Sequence, residues 1–246
     1  MSTQTPIVNA GLKYINGLTL SRTSNAIVAI AAGACRDSTN TNDIVVDTAL
    51  AVSNIIAGAG GLDTGTVANN TFYAIFVIAD STKYNDPVGL LSTSATAPTL
   101  PFGYDMFRRV GWAKTNGSAQ FLEFRQRGAS NDRWMWYDVA IATDITAGSS
   151  ATFAAVDMSA GMPDLTVTSE VNMLCLFTPT AGNDTLELRP GSSSAAAGYV
   201  RASGAVAAVV ETTNLVCPTD ITTGVDYIVT GSAVALSVAG YLDQLV

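Results

Sequence analysis

Alternation of apolar and polar positions, the period of a β-strand, dominates this sequence. In residues 119–127, Phe121, Glu123 and Arg125 fall on one side of an extended chain, while Leu122 and Phe124 fall on the other. Such mixed faces predict a strand exposed to water on at least one side.

Residues 71–78 show a different pattern, because no polar side chain separates Phe72 from Ile78. A continuous apolar run of this length predicts a strand that is buried on both faces and central in its sheet. Strict alternation places Phe72, Phe76 and Ile78 together. A bulge near Ala74 is the alternative, and we expect these three side chains not to share one face.

Short runs of this kind recur along the chain, separated by Gly, Pro, Asn and Asp, and they predict short strands joined by turns. Strands are predicted at residues 12–20, 26–32, 43–46, 47–56, 71–78, 89–94, 107–112, 119–127, 133–142, 152–158, 164–169, 171–178, 185–188, 205–211, 214–217, 227–230 and 233–241, of which 47–56 is also compatible with a short helical turn. Asn16-Gly17 predicts a hairpin turn. The expected fold is all-β: an antiparallel, jelly-roll-like β-sandwich in one or two closely packed lobes.

The chain divides into three predicted parts. Residues 1–11 are polar, with Pro6 and Gly11, and are expected to form an N-terminal docking arm. Residues 12–127 form an N-terminal β domain, and residues 128–246 form a C-terminal β-sandwich lobe that is richer in Ser, Thr, Ala and Val.

The amino-acid composition limits the classes of partner that the chain can bind. Charged residues make up 13% of the chain, against about 25% in an average globular domain. A surface built from hydroxyls and amides suits burial against copies of the same chain, so we expect a homo-oligomer. The basic residues are scattered and the net charge is −8, which disfavours nucleic acid. No apolar run has the length of a membrane span, and the first residues lack a leader pattern, so we expect folding in a cytoplasm.

The sequence offers little catalytic chemistry. It contains no His, the commonest general base and metal ligand, and its four Glu residues are isolated from one another. Cys35, Cys175 and Cys217 lie far apart without a CxxC spacing and are predicted to be small buried hydrophobic side chains. No catalytic, cofactor-binding or metal-binding residue is therefore predicted, and the chain is not expected to be an enzyme.

A glycine-rich stretch at residues 58–65 resembles two functional loops only superficially. A phosphate-binding loop requires Lys followed by Ser or Thr, which is absent here. Asp63-Thr64-Gly65 matches the triplet of aspartic proteases, but no second copy exists to form the dyad. The stretch is predicted to be a tight turn between strands.

Two further clusters leave alternatives open. The oxygen-bearing side chains near residue 40 favour a surface turn, with structural Ca²⁺ as the alternative; they are Asp37, Asn40, Asn42, Asp43 and Asp47. The aromatic side chains Trp112, Trp134, Trp136 and Tyr137 favour core or interface packing, with a sugar-stacking platform as the alternative.

A series of segments within residues 12–127 carries a resemblance to a known family. The segments are YINGLTLS (14–21), AGACRDSTN (32–40), DIVV (43–46), GGLDTG (60–65), the strand around Tyr73, LSTSATAPTLP (91–101) and FRRVG (107–111). Their order resembles virion structural proteins of tailed bacteriophages, described as tail-fibre or minor structural proteins. The C-terminal half resembles that family only loosely, at residues 215–219 and 235–241.

The resemblance implies a non-enzymatic structural component of a tailed-phage virion, assembled in the host bacterial cytoplasm. The expected place is a tail or neck fibre or appendage, with capsid decoration as an alternative and a carbohydrate-binding receptor module as a second one. The implied partners are further copies of the chain, as a homotrimer, other tail, neck or capsid proteins, and a host surface glycan, with neither nucleic acid nor membrane.

Overall fold

A computed structural model describes residues 13–128, 130–164, 169–204, 206–220, 224–231 and 233–245. All regular secondary structure in these residues is β, which confirms the predicted fold class. The strands are β1 (Ile15–Gly17), β2 (Leu20–Ser24), β3 (Ile27–Ile30), β4 (Gly33–Arg36), β5 (Asp43–Val46), β6 (Leu50–Ser53), β7 (Phe72–Ala79), β8 (Val88–Ser92), β9 (Met106–Lys114), β10 (Phe124–Arg127), β11 (Asp132–Ala142), β12 (Ala154–Val156), β13 (Glu170–Thr178), β14 (Thr185–Pro190), β15 (Val200–Ser203), β16 (Glu211–Pro218), β17 (Val225–Val229) and β18 (Ala233–Gln244). The described residues contain no helix able to cross a membrane.

The chain divides into two compact units. Unit 1 comprises the described residues of Met1–Leu122, Arg127–Arg133 and Leu245–Val246, and unit 2 comprises those of Glu123–Gln126 and Trp134–Gln244. The predicted boundary between residues 127 and 128 falls inside the stretch in which the chain alternates between the two units. The predicted docking arm, residues 1–11, lies outside the described residues.

Unit 1 opens with a long, kinked hairpin. Its turn lies at Asn25 and Ala26, so the hairpin predicted at Asn16-Gly17 is wrong. Gly17 and Leu18 have positive φ angles of 69° and 54°, which carry the chain from β1, paired with β4, into β2, paired with β3. The returning strand breaks opposite them, so the strand predicted at residues 26–32 corresponds to β3 alone, and β4 begins separately at Gly33. A Cβ on Gly33 would lie 2.3 Å from the Asn16 carbonyl oxygen, so only glycine fits there.

The predicted central strand of unit 1 is confirmed. β7 lies between β8 and β9, and all its residues after Phe72 are buried. Residues Phe76 and Phe107 meet edge to face, with ring centroids 5.8 Å apart. The irregularity in this sheet lies opposite Ile75 and Phe76, where Val110 of β9 is the extra residue, and not in β7 near Ala74.

A buried arginine joins the kinked hairpin to the central sheet of unit 1. The Arg133 side chain is fully buried. Its guanidinium donates to the carbonyl oxygens of Gly17 (2.6 Å), Leu18 (2.7 Å) and Val110 (3.3 Å), and its Nε donates to that of Ser130 (2.9 Å). The carbonyls of Gly17 and Leu18 lie at the kink after β1 and that of Val110 lies at the irregular position of β9, where regular pairing leaves acceptors unsatisfied.

Unit 2 is a jelly roll. The eight strands from β11 to β18 pair in nested order. The outermost pair is β11 with β18, followed by β12 with β17, β13 with β16 and β14 with β15. This is a long hairpin of four strand pairs rolled into two sheets, ordered β16-β13-β18-β11 and β12-β17-β14-β15. β10 extends the first sheet beyond β11.

The core of unit 2 comes from the inward positions of both sheets. Met173, Cys175 and Phe177 of β13 alternate with outward residues and are buried, as are Leu186 and Leu188 of β14. The alternation therefore identified β13 and β18 correctly.

Other predictions in unit 2 were wrong or lie outside the description. The strand predicted at residues 205–211 is wrong, because residues 206–210 are irregular and exposed and β16 begins at Glu211. β15 was not predicted at all. Most of the strand predicted at 164–169 lies outside the described residues.

We predict that Phe76→Ala lowers the free energy of unfolding by about 3–5 kcal/mol, because it empties a buried site in a central strand. Phe102, fully exposed in unit 1, is the matched control, and Phe102→Ala should change stability by less than about 0.5 kcal/mol. Urea melts would show both values. A loss below about 1 kcal/mol for Phe76→Ala would contradict the central position of β7.

We predict that Arg133→Met costs at least about 3 kcal/mol, since methionine fills the space but leaves several buried carbonyls without donors. Arg125 is the control, because its side chain is 72% exposed in a salt bridge to Asp138. Arg125→Met should cost less than about 1 kcal/mol in the same melts. Equal costs for the two variants would refute the role assigned to Arg133.

Candidate functional site

A buried carboxylate organises the loop between β4 and β5 in unit 1. Asp37 accepts hydrogen bonds from the Thr39 hydroxyl (2.7 Å) and from the backbone N–H groups of Thr41 (2.8 Å) and Asn42 (3.1 Å). Asn40, with φ of 60°, makes the turn. Burial opposes ionisation of Asp37, but these hydrogen bonds outweigh it and hold its pKa below the ordinary value.

The loop between β7 and β8 is built in the same way. Asp80 accepts from the Thr82 hydroxyl (2.7 Å) and N–H (2.8 Å), and from the Asn85 N–H and side-chain amide (both 3.2 Å). Lys83 has φ of 59° at the position equivalent to Asn40. The pKa of Asp80 is lowered, and the hydrogen bonds from Thr82 make the largest contribution to this shift.

The two loops also have similar amino-acid sequences. Residues 37–43 read DSTNTND and residues 80–86 read DSTKYND, identical at five of seven positions. The first Asp, the Thr two residues later and the Asn five residues later make the same contacts in both loops. A search for a repeat of constant period misses this heptapeptide because it occurs only twice, whereas direct comparison of the polar segments finds it.

The side chains proposed as calcium ligands are engaged by protein groups. Asn40 Oδ1 accepts from the backbone N–H of Lys13 (2.6 Å), and Asp43 accepts from the Tyr14 hydroxyl (3.0 Å) and pairs with Arg36 (3.4 Å). Asp47 is exposed beyond β5. Within the described ranges, no cluster of three or more His, Cys, Asp or Glu side chains is placed to hold a metal ion.

A cavity of about 250 Å³ lies between the start of β5 and the second Asp-anchored loop. Its lining residues include Asp43, Asp80, Asp86 and Lys83. Val45, which is 54% exposed, supplies an apolar wall. Acidic, basic and apolar residues therefore all contribute to the lining of this cavity. Sequence reasoning named Asp43 and missed the other residues.

Two exposed aromatic side chains stand on neighbouring loops of unit 1. Tyr84 is 89% exposed and Phe102 is fully exposed. Their loops are held together by a hydrogen bond from the Asn85 amide to the Gly103 carbonyl oxygen (3.0 Å) and one from the Tyr104 hydroxyl to that of Asp86 (3.5 Å). Fixed loops that present aromatic side chains form a preorganised contact surface.

The glycine-rich stretch forms the predicted turn. Gly58, Gly60 and Gly65 have φ angles near 80°, which favour glycine. The stretch bridges two strands: Gly60 O accepts from Ser53 N of β6 (2.9 Å), and Gly60 N donates to Gly89 O of β8 (2.9 Å). The Asp63 carboxylate accepts from the N–H groups of Thr64 (2.7 Å) and Thr99 (3.0 Å), so it shapes the turn.

The tryptophans and cysteines are packed. Trp112 is 4% exposed. Trp134 and Trp136 stack on each other with centroids 5.2 Å apart and are half-buried, so neither is the exposed platform proposed for a sugar. All three cysteines are buried as predicted, and burial raises the pKa of each thiol to about 12.

Unit 2 presents a sheet surface without charged side chains, which we term the uncharged face. It consists of the outward residues of three adjacent strands: Thr212, Asn214 and Val216 on β16, Leu174, Leu176 and Thr178 on β13, and Ala233, Ala235 and Ser237 on β18. The nearest charge along β13 is Glu170, at its end. The described residues of unit 2 thus offer a broad surface of hydroxyl, amide and small apolar groups.

Comparison with known proteins gives no identification: no family model, curated protein or solved structure matches this chain.

We predict that Asp37→Ala lowers the free energy of unfolding by about 1–3 kcal/mol at pH 7, because it leaves three donors in the loop unpaired. The exposed Asp47 is the control, with less than about 0.5 kcal/mol expected for Asp47→Ala.

The pH dependence of this effect follows from the lowered pKa of Asp37. The ionised carboxylate stabilises the fold above the unfolded pKa of about 3.9, and this contribution is lost as the pH falls through the folded value. The stability gap between the unmodified chain and Asp37→Ala should therefore narrow below about pH 4 in urea melts. A gap that widens in acid would contradict the assignment.

Proposed function

We propose that this chain is a non-enzymatic structural component of a tailed-phage virion, located in a fibre or appendage of the tail or neck. It acts by assembling with copies of itself, as a trimer, and with other virion proteins. The observation that carries this proposal is the uncharged face of unit 2, because a surface of hydroxyl, amide and small apolar groups suits burial against protein. The trimeric state and the place on the virion are supported by the family resemblance alone.

The architecture of unit 2 adds support. Jelly rolls are frequent among viral capsid proteins and lectins. A fold does not determine function, so the topology raises the weight of an assembly role without assigning it.

Capsid decoration is the second candidate, and the jelly-roll unit favours it equally. A decoration protein covers the head lattice and occurs in hundreds of copies, whereas a fibre or neck appendage occurs in tens. Copy number therefore separates the two.

A carbohydrate-binding receptor module is the third candidate. It is favoured by Tyr84 and Phe102, which are exposed beside polar groups of the Asp-anchored loop. Aromatic faces flanked by hydrogen-bonding groups suit sugar rings. In this candidate the contact lies in unit 1 and not at the tryptophans of unit 2.

The test is to purify particles that carry the chain, count its copies by gel densitometry, and locate it with gold-labelled antibody. We expect tens of copies and label at the tail or neck. Hundreds of copies with label over the head would favour decoration, and absence from purified particles would reject both. Incubation with host surface polysaccharide should release no new reducing ends; release of new ends would reject the non-enzymatic role.

A further inference from the structure

We infer that the uncharged face of unit 2 is the surface on which another copy of this chain docks. The inference rests on the self-association proposed above and specifies where the copies meet.

The strand register shows that the face is continuous. Leu176 pairs with Thr212 of β16 and with Ala235 of β18, and Leu174 pairs with Asn214 and Ser237, so their side chains form cross-strand rows. Two apolar side chains along it are accessible, because Leu176 and Val216 are each 39% exposed.

The open edge of β16 adds main-chain hydrogen-bonding groups to this face. β16 is the last strand of its sheet in the described residues and pairs with β13 without a register shift. Residues 212–217, TTNLVC, contain no charged residue, Gly or Pro, the features with which exposed edges usually avoid pairing. The edge is therefore suited to contact with another chain.

The size of the face fits part of an interface. With strands about 4.8 Å apart and a rise of about 3.3 Å per residue, three strands of about five residues cover roughly 240 Å². A stable interface buries about 800 Å² on each partner. The side chains of Val206 and Val209, in the segment before β16, are also exposed.

Charge argues that the partner is a second copy. The chain carries a net charge of −8, so two copies repel wherever their carboxylates approach. On the same sheet, the charged pair Arg125 and Asp138 lies on β10 and β11, away from β16, β13 and β18. The uncharged face is thus a place where a copy can approach without like-charge repulsion. It also lacks the fixed charges that recognise a strongly basic or acidic partner.

The first test places a charge on the face. Thr212→Lys and Leu176→Lys should convert the oligomer to the monomer of 25.4 kDa in light scattering at micromolar concentration, with unchanged circular dichroism. Val139→Lys is the matched control, because Val139 is 80% exposed on β11 of the same unit, and it should leave the oligomer intact.

The second test reads proximity directly and does not depend on disrupting the assembly. The native cysteines are buried, so Asn214→Cys provides one reactive thiol on the face. A short bismaleimide should join two copies through it, whereas Ser194→Cys, exposed in the loop before β15, should give no cross-link.

The outcomes separate the inference from the function on which it rests. An unmodified chain that stays monomeric would overturn self-association and this inference together. An unmodified oligomer that survives both Lys variants and gives no cross-link through Asn214→Cys would overturn the docking surface alone. Should a Lys variant misfold, the cross-linking result decides.

Discussion

The guanidinium group of Arg133 is the constraint on which unit 1 depends. It donates to carbonyl oxygens at the kink between β1 and β2 and to that of Val110, the extra residue of β9, two places where regular strand pairing fails. A buried unsatisfied carbonyl costs about 1–3 kcal/mol, so such irregularities persist only where a donor is supplied. Arg108 acts similarly: its guanidinium, with a pKa lowered by burial, donates to the carbonyl oxygens of Lys13 and Leu245. Unit 1 thus uses long cationic side chains to join backbone segments that no ladder joins.

In the two Asp-anchored loops, a carboxylate plays the role that the guanidinium groups play elsewhere. It accepts hydrogen bonds from N–H groups that would otherwise lack partners. Asp37 and Asp80 each collect backbone N–H groups that a tight loop leaves without partners, and each loop contains one residue of positive φ. The second loop holds Tyr84 in the open, because its other polar groups are turned toward the carboxylate. The buried polar groups of these loops therefore serve mainly to fix the loop conformations. The exposed position of Tyr84 depends on that fixed conformation.

Local physics explains which features the sequence predicted. The run from Phe72 to Ile78 predicted a buried central strand because no other environment accepts so many consecutive apolar side chains. The hairpin predicted at Asn16-Gly17 was wrong because Gly17 pairs with Gly33. That pairing depends on residues distant in the sequence and overrides the local turn signal. The order of strands in unit 2 depends on register between β13, β16 and β18, which alternation does not encode. The Asp-anchored loops could have been predicted, since their repeated heptapeptide is visible in the sequence. The cavity beside Asp43 could not, because its residues come together only in the folded chain.

The low charge of the chain has opposite consequences along one sheet of unit 2. On β10 and β11, Arg125 and Asp138 keep the surface hydrated, whereas β13, β16 and β18 turn hydroxyl, amide and small apolar groups outward. Such groups are hydrated in a free chain and lose little when they are buried with hydrogen-bond partners. Glu211 and Pro218 close the two ends of the open edge, because a charge discourages an incoming strand and proline lacks the N–H to pair with it. The part of this edge that carries neither a charge nor a proline is therefore limited to residues 212–217.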